Sequence, residues 1–322
     1  MLKRLLFGAI GTLAIAMATP AALAAESVNV GAPNWTSAKA MANLIKVLVD
    51  EKLGGRANLV PGTNATIFQG MDRGKGDVDV HPDVWLPNQQ NFVEEYVNQR
   101  GSVVLSANPY AGKQGFCVSK AFAEKTKVTS IFDLARPEIA SQLDSDGNGK
   151  GELWIGAPGW ASANVNQVKV RDYGLLPFMD PIRAEQAVNT SRVGDRISKG
   201  EGVAFYCYAP NEIWFMFDIV QLSEPDHDPA KYKMVQPAED ADWFNKSMVA
   251  SSDAPRRVQI AYSKSLKDRA PAIAELLGKI ALDTETISQW SFEIASNKRN
   301  PADVVREWID KNQPRVDGWL GL

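Results

Sequence analysis

The alternation of short apolar runs with stretches of helical apolar spacing constrains this chain more than any single motif in it. Val28-Asn29-Val30-Gly31 predicts a strand that stops at a glycine, and Met41, Leu44, Ile45, Leu48 and Val49 then recur at helical spacing before Gly54-Gly55. Ser37 stands where a helix N-cap belongs. Residues 57–60 form the next strand candidate, residues 67–71 a short helix, and residues 78–80 a strand leading into His81-Pro82-Asp83-Val84-Trp85. Order of this β-α-β-α-β kind predicts a mainly parallel, doubly wound sheet with helices on its faces. Ligands of such sheets bind outside the carboxyl ends of the strands.

The pattern breaks at Asn108-Pro-Tyr-Ala-Gly112 and restarts with a strand at Gly115-Phe116-Cys117-Val118. A second alternating unit follows, with strands at 153–156 and 202–206, before Val258–Tyr262 returns as a strand and the chain ends in helical patterns at 271–281 and 301–311. Two α/β lobes with a cleft between them are therefore predicted. Residues 25–108 and 255–322 make lobe 1, and residues 109–254 make lobe 2. A chain of 322 residues exceeds the size at which one core keeps growing, which agrees with two lobes.

The first residues and the charge bound the setting. Lys3 and Arg4, an apolar run from Leu5 to Ala18, and Ala22-Leu23-Ala24 form the three-part pattern of a secretory signal peptide over residues 1–24. The expected product is a soluble periplasmic protein of a Gram-negative cell, without a cysteine near the cleavage site to carry a lipid. The formal charge of −3, with both signs interspersed, offers no footprint for nucleic acid. Cys117 and Cys207 are the two cysteines, and in an oxidising compartment they either pair or remain free; sequence gives no distance between them.

Four aromatic residues recur at strand ends beside polar or proline-containing turns. They are Trp35 in Ala-Pro-Asn-Trp-Thr-Ser, Trp85 in Asp-Val-Trp-Leu-Pro, Trp160 in Ala-Pro-Gly-Trp-Ala-Ser and Tyr208 in Phe-Tyr-Cys-Tyr-Ala-Pro. A large protein buries most such rings as core, but rings gathered from several loops enclose a cation that has no N–H to donate, because their quadrupoles attract positive charge without a hydrogen bond. That chemistry suits a quaternary ammonium group.

These blocks also carry a family resemblance. Asp144-Ser-Asp-Gly-Asn-Gly-Lys-Gly-Glu152 followed by Pro158-Gly159-Trp160, with Trp85-Leu-Pro87, Tyr208-Ala-Pro210, Asn34-Trp35-Thr36, Trp308-Ile-Asp-Lys-Asn312 and Asp317-Gly-Trp319, resembles the substrate-binding proteins of ABC transporters for glycine betaine, proline betaine and choline. The resemblance implies an α/β fold of the two-lobed periplasmic binding protein type (type II), each lobe a doubly wound mixed sheet flanked by helices. It implies a monomer that delivers a small trimethylammonium ligand to an ABC permease in the inner membrane. Trp85 and Trp160 stand at family tryptophans, Trp35 at a cage tryptophan of choline-binding relatives, and Tyr208 where a tryptophan is more frequent. Backbone N–H groups at Ala161 and Ser162 are implied to hold a ligand carboxylate. The family's histidine four residues past the first-lobe tryptophan is Gln89 here, which can donate a hydrogen bond but brings no positive charge. Trimethylamine N-oxide or glycine betaine is the expected ligand, with choline or carnitine as alternatives. The disulfide found around the Pro-Gly-Trp in some relatives is absent, because Gly156 and Ser162 occupy its places.

The loop ahead of Trp160 raises a metal question. Asp144, Asp146 and Asn148 alternate with glycines, Lys150 holds the seventh position and Glu152 the ninth, a spacing that suits a structural Ca²⁺ or, equally, a solvated turn. The twelfth position is Ile155, so the full EF-hand pattern fails. Glu152 has a second expected role: facing the pocket, it would favour a cation over a carboxylate. His81 and His227 show no metal-ligand spacing, and His81 beside Pro82 is expected to be a structural or rim residue. An enzyme acting on the same compounds is the rival class, but there is no Gly-x-Ser-x-Gly elbow, no His-Glu-x-x-His and no Cys/His pair at motif positions.

Overall fold

The computed structural model describes residues 26–322; the signal peptide expected at residues 1–24 lies outside the described residues. Twelve strands are found among the described residues: β1 (Ser27–Ala32), β2 (Arg56–Pro61), β3 (Val80–Leu86), β4 (Val103–Leu105), β5 (Tyr110–Ser119), β6 (Gly151–Gly156), β7 (Met179–Arg183), β8 (Ala204–Ala209), β9 (Ile219–Gln221), β10 (Tyr232–Lys233), β11 (Met248–Val249) and β12 (Arg256–Ser263). Ten of them form one sheet in the order β2-β1-β3-β12-β5-β8-β6-β7, with β4 on β12 and β9 on β5, while β10 and β11 pair apart.

Pairing is parallel where helices cross over, β1 with β2 and β3, and β6 with β7 and β8. It is antiparallel where β12 meets β3, β4 and β5, and where β5 meets β8 and β9. The sheet is therefore mixed, and it curls into two halves. One strand joins them. Residues 110–112 of β5 pair with β12, and residues 113–118 of the same strand pair with β8.

Two local expectations differ from the structure. Ser37 is not the cap of the first helix, Thr36–Val47; Trp35 takes that position without a side-chain bond, because the Ser37 hydroxyl is engaged by a buried carboxylate. Trp85 lies within β3 rather than past it. The strand runs on through His81-Pro82-Asp83 because Pro82, with no N–H to give, falls at a register shift of the β12 ladder between Gln259 and Ala261.

The first helix buries Met41, Leu44, Ile45 and Val47 and packs on the helices Thr284–Ala295 and Pro301–Lys311, so the chain's end closes the core of its beginning. In the other half, Trp154, Phe205 and Phe116 lie fully buried on β6, β8 and β5. Cys117 and Cys207 are bonded to each other, Cα atoms 5.8 Å apart, as a diagonal pair across the β5–β8 ladder. The cross-link closes a loop of 90 residues and by chain entropy alone contributes about 4 to 5 kcal/mol. No helix among the described residues is long and apolar enough to cross a membrane.

Candidate functional site

The four rings come together where the two halves of the sheet face each other. Trp35 follows β1, Trp85 is the penultimate residue of β3, Trp160 caps the helix Ala161–Asp172 after β6, and Tyr208 is the penultimate residue of β8. All four are buried. Trp35 meets Trp160 edge to face at 5.9 Å between ring centroids, Trp160 meets Tyr208 at 5.7 Å, and Tyr208 meets Trp85 at 5.5 Å. They line one pocket, with about 330 Å³ of empty space when its open mouth is included, shared with Asn64, Asn88, Gln89, Ala161, Ser162 and Tyr206. Tyr206 stacks on Tyr208 at 5.5 Å.

Behind the tryptophans sits Asp83, which is 0 % exposed. Its Oδ2 accepts from Trp35 Nε1 at 2.6 Å, Ser37 Oγ at 2.7 Å and Trp85 Nε1 at 3.1 Å, while its Oδ1 accepts from the Tyr110 hydroxyl. One carboxylate thus fixes the edges of two rings from different elements. Burial pushes its pKa up, and the bonds from Tyr110, Trp35, Ser37 and Trp85 oppose that rise. The other rings are held by amides. Trp160 Nε1 donates to Asn34 Oδ1 at 2.7 Å, and the Tyr208 hydroxyl donates to Gln186 Oε1 at 2.9 Å. Gln186 in turn donates to Glu212 at 2.7 Å and to Thr36 at 3.1 Å, which ties β8 to the first helix.

The remaining walls are polar and neutral. The helix Ala161–Asp172 opens at the pocket, which Ala161 and Ser162 line, with no capping side chain and no acid in its first turn, so nothing there opposes its N-terminal dipole. Gln89 is buried on the opposite side with its Oε1 unpartnered. Asn88 bonds to Gln114 at 3.0 Å, and Gln114 reaches both the Tyr206 hydroxyl, at 2.7 Å, and Asp253, at 2.9 Å. Asp253 also takes Lys169 at 2.9 Å and lies against Arg256. Although burial alone would raise it, the Arg256 and Lys169 charges hold the Asp253 carboxyl well below the usual range.

The structure separates Glu152 from this pocket. Its carboxylate turns into the preceding loop, where it accepts from the Ser145 and Asp146 N–H groups at 3.0 and 3.1 Å and pairs with Arg192 at 3.2 Å. Glu152 is therefore corrected from a candidate ligand contact to a loop residue, because two N–H groups of that loop and Arg192 already hold it. Asp144, Asp146 and Glu152 do bring carboxylate oxygens within 4.8 Å of one another. Asn148 turns its amide nitrogen to Asp146 and Asp180 while its Oδ1 accepts from the Lys150 N–H at 2.8 Å, and Lys150 Nζ bonds Leu176 O.

Asp83, Tyr206, Asn64 and Asn88 were not among the residues expected at the site. A signal was available for two of them, since Asp83 and Trp85, like Tyr206 and Tyr208, are two apart on one strand and share a face. No comparable pattern marks Asn64 or Asn88.

A sheet curled into two halves around one aromatic pocket defines a two-lobed binding protein of the α/β class. Residues 26–311 match the family described as the substrate-binding domain of ABC-type glycine betaine transport systems, and the chain belongs to that family. It is 26 % identical over 216 residues to the glycine betaine-binding periplasmic protein OusX of Dickeya dadantii, covering 64 % of this chain and 63 % of that protein, less than two thirds of its length. It is 23 % identical over 243 residues to the glycine betaine/proline betaine-binding periplasmic protein of Escherichia coli K12, covering 73 % of this chain and 72 % of the other. Among solved structures, it superposes on lactococcal OpuAC complexed with glycine betaine with a TM-score of 0.70 at 20 % identity, over 92 % of this chain and 99 % of that one. An ABC-transporter choline-binding protein in complex with choline gives 0.72 at 14 % identity, over 92 % and 91 %. At these identities the structural likeness establishes the fold.

His81, directly beneath the pocket, offers a test that needs no ligand. Fully buried, its Nδ1 accepts from the Asp83 N–H at 3.2 Å, so its Nε2–H donates to Asn64 Oδ1 at 2.9 Å and the ring is neutral. Burial depresses its pKa to about 3 from 6.5. Between those values the unfolded chain binds the proton and the folded one does not, so His81 removes stability as pH falls, about 1.4 kcal/mol per unit below 6.5. Urea unfolding at pH 7 and pH 5 is expected to show His81→Gln losing about 2 kcal/mol less than the wild type. Equal losses would mean that the ring is protonated in place.

Proposed function

We propose that this chain is the periplasmic substrate-binding component of an ABC importer, which encloses the trimethylammonium group of a small osmolyte, trimethylamine N-oxide or glycine betaine, and delivers it as a monomer to an inner-membrane permease. The observation that carries the reading is the convergence of Trp35, Trp85, Trp160 and Tyr208, two from each half of the sheet, on one small buried pocket. Four faces at roughly 0.5 to 2 kcal/mol each suit a methylated cation and support micromolar binding, about −8 kcal/mol, after ordering costs. No reaction is assigned to the chain.

The lobes of this reading are residues 25–108 with 255–322, and residues 109–254. Opening then bends β5 near residue 112, where it changes partners, and the segment before β12. The ligand's oxygen is assigned to the N–H groups of Ala161 and Ser162, with Gln89 across the pocket from them. No lysine, arginine or histidine lines the pocket, so a carboxylate finds hydrogen bonds and a helix dipole but no counter-charge. The E. coli and D. dadantii relatives carry names that specify glycine betaine, and one solved neighbour holds choline, which keeps choline or carnitine as the alternative ligand. Bound Ca²⁺ at Asp144, Asp146 and Glu152 would brace the loop before β6; chelation should then lower the melting temperature, and an unchanged melt would leave the loop a plain turn.

Replacing Trp160 by Ala is expected to weaken binding at least tenfold, with a smaller effect on melting than Trp154→Ala, because Trp154 is a β6 core residue whose indole is tied to Ala184 O at 2.9 Å. Near-native affinity of Trp160→Ala in calorimetry would remove it from the site.

Ligand choice is read by a second titration. Dimethylglycine should bind much more weakly than glycine betaine, whereas trimethylamine N-oxide, which lacks the carboxylate, should lose less. Tight dimethylglycine binding with no heat from trimethylamine N-oxide or choline would make the carboxylate the primary determinant.

A further inference from the structure

We infer that Asp83 is the counter-ion of the bound ammonium group: a buried carboxylate, set behind Trp35 and Trp85, whose charge the protein leaves for the ligand to balance. The inference rests on the reading of the pocket given above. Both oxygens of Asp83 are occupied by donors, and three of the four, the two indoles and Ser37, converge on Oδ2. An indole N–H can only donate, so that oxygen is an acceptor. No lysine or arginine pairs with Asp83 among the described residues, and the nearby ring, His81, is neutral and accepts the Asp83 N–H. A carboxylate buried without a cation is destabilising to the folded state, and hydrogen bonds offset only part of that. The missing positive charge belongs in the adjoining pocket.

The geometry supports this in two ways. Hydrogen bonding from both indole N–H groups to a carboxylate transfers negative charge toward the rings, which deepens the potential over the faces that meet the cation. In addition, the negative end of the pocket lies at Trp35 and Trp85, and the positive end, the helix N-terminus at Ala161 and Ser162, lies on the other half of the sheet. A ligand with a positive head and an electron-rich tail is therefore oriented by both ends. Asp83 is a positioning and specificity residue that acts through the rings it holds.

The test uses pairs that differ only by nitrogen or carbon at the quaternary centre: choline against 3,3-dimethyl-1-butanol, glycine betaine against 3,3-dimethylbutanoate, and trimethylamine N-oxide against tert-butanol. Asp83→Asn keeps an acceptor for the indoles and removes the charge. The expected result is that the preference for the nitrogen compound over its carbon isostere falls at least tenfold in Asp83→Asn, about 1.4 kcal/mol, while affinity for the isostere changes less than threefold. Equal weakening of both members of a pair would show that Asp83 only fixes ring geometry, and no change in either would show that it does neither; both outcomes overturn the proposal. Should Asp83→Asn fail to fold, the wild type decides: comparable affinity for the two members of each pair overturns the counter-ion role while leaving the pocket assignment intact. Failure of the wild type to bind any of the six compounds would sink both.

Discussion

A carboxylate with no cation beside it among the described residues, buried at the meeting point of two tryptophan edges, is the constraint around which this site is built. Asp83 sits on β3 two residues before Trp85, so both face the same side of the sheet, and it reaches across to the loop after β1 to take the Trp35 indole and the Ser37 hydroxyl. That single group engages the Ser37 hydroxyl, and the first helix begins without a side-chain cap. It also fixes two of the four rings before any ligand arrives. Preorganised rings bind a cation with less ordering cost than mobile ones.

The other two rings depend on contacts that cross between the halves of the sheet. Trp160 is anchored to Asn34, and Tyr208 through Gln186 to Thr36, so the pocket as observed is closed around its rings by neutral hydrogen bonds between residues up to 150 positions apart. Neutral, partly exposed bonds of this kind contribute about 1 kcal/mol each, weak enough to break when the lobes separate. Beneath them, the Lys169, Glu224 and Asp253 cluster joins the helix that carries Ala161 and Ser162 to the segment entering β12, with Lys169 2.7 Å from Glu224. Breaking a buried pair costs several kcal/mol, so this part is expected to move as one body.

Much of the architecture was legible because it is local. Strand and helix alternation, the ends at Gly31 and Gly54-Gly55, and the placement of four rings near strand termini follow from spacing that a short window contains. What stayed hidden depends on partners far away in sequence. The single sheet running through β5, the Cys117–Cys207 bond and the four-donor shell of Asp83 are set by long-range register, which residue pattern does not encode. Glu152 shows the same limit from the other side. Its proximity to Trp160 in sequence suggested a pocket role, but β6 carries its side chain to the far end of the strand, into the loop that begins at Asp144.

The most direct measurement is a crystal structure of the protein with glycine betaine or trimethylamine N-oxide bound. The quaternary nitrogen is predicted to lie within about 6 Å of the ring centroids of Trp35, Trp85, Trp160 and Tyr208, with the ligand oxygen at the Ala161 and Ser162 N–H groups. A nitrogen placed outside those four rings, or a ligand bound with its oxygen toward Trp35 and Trp85, would contradict the assignment.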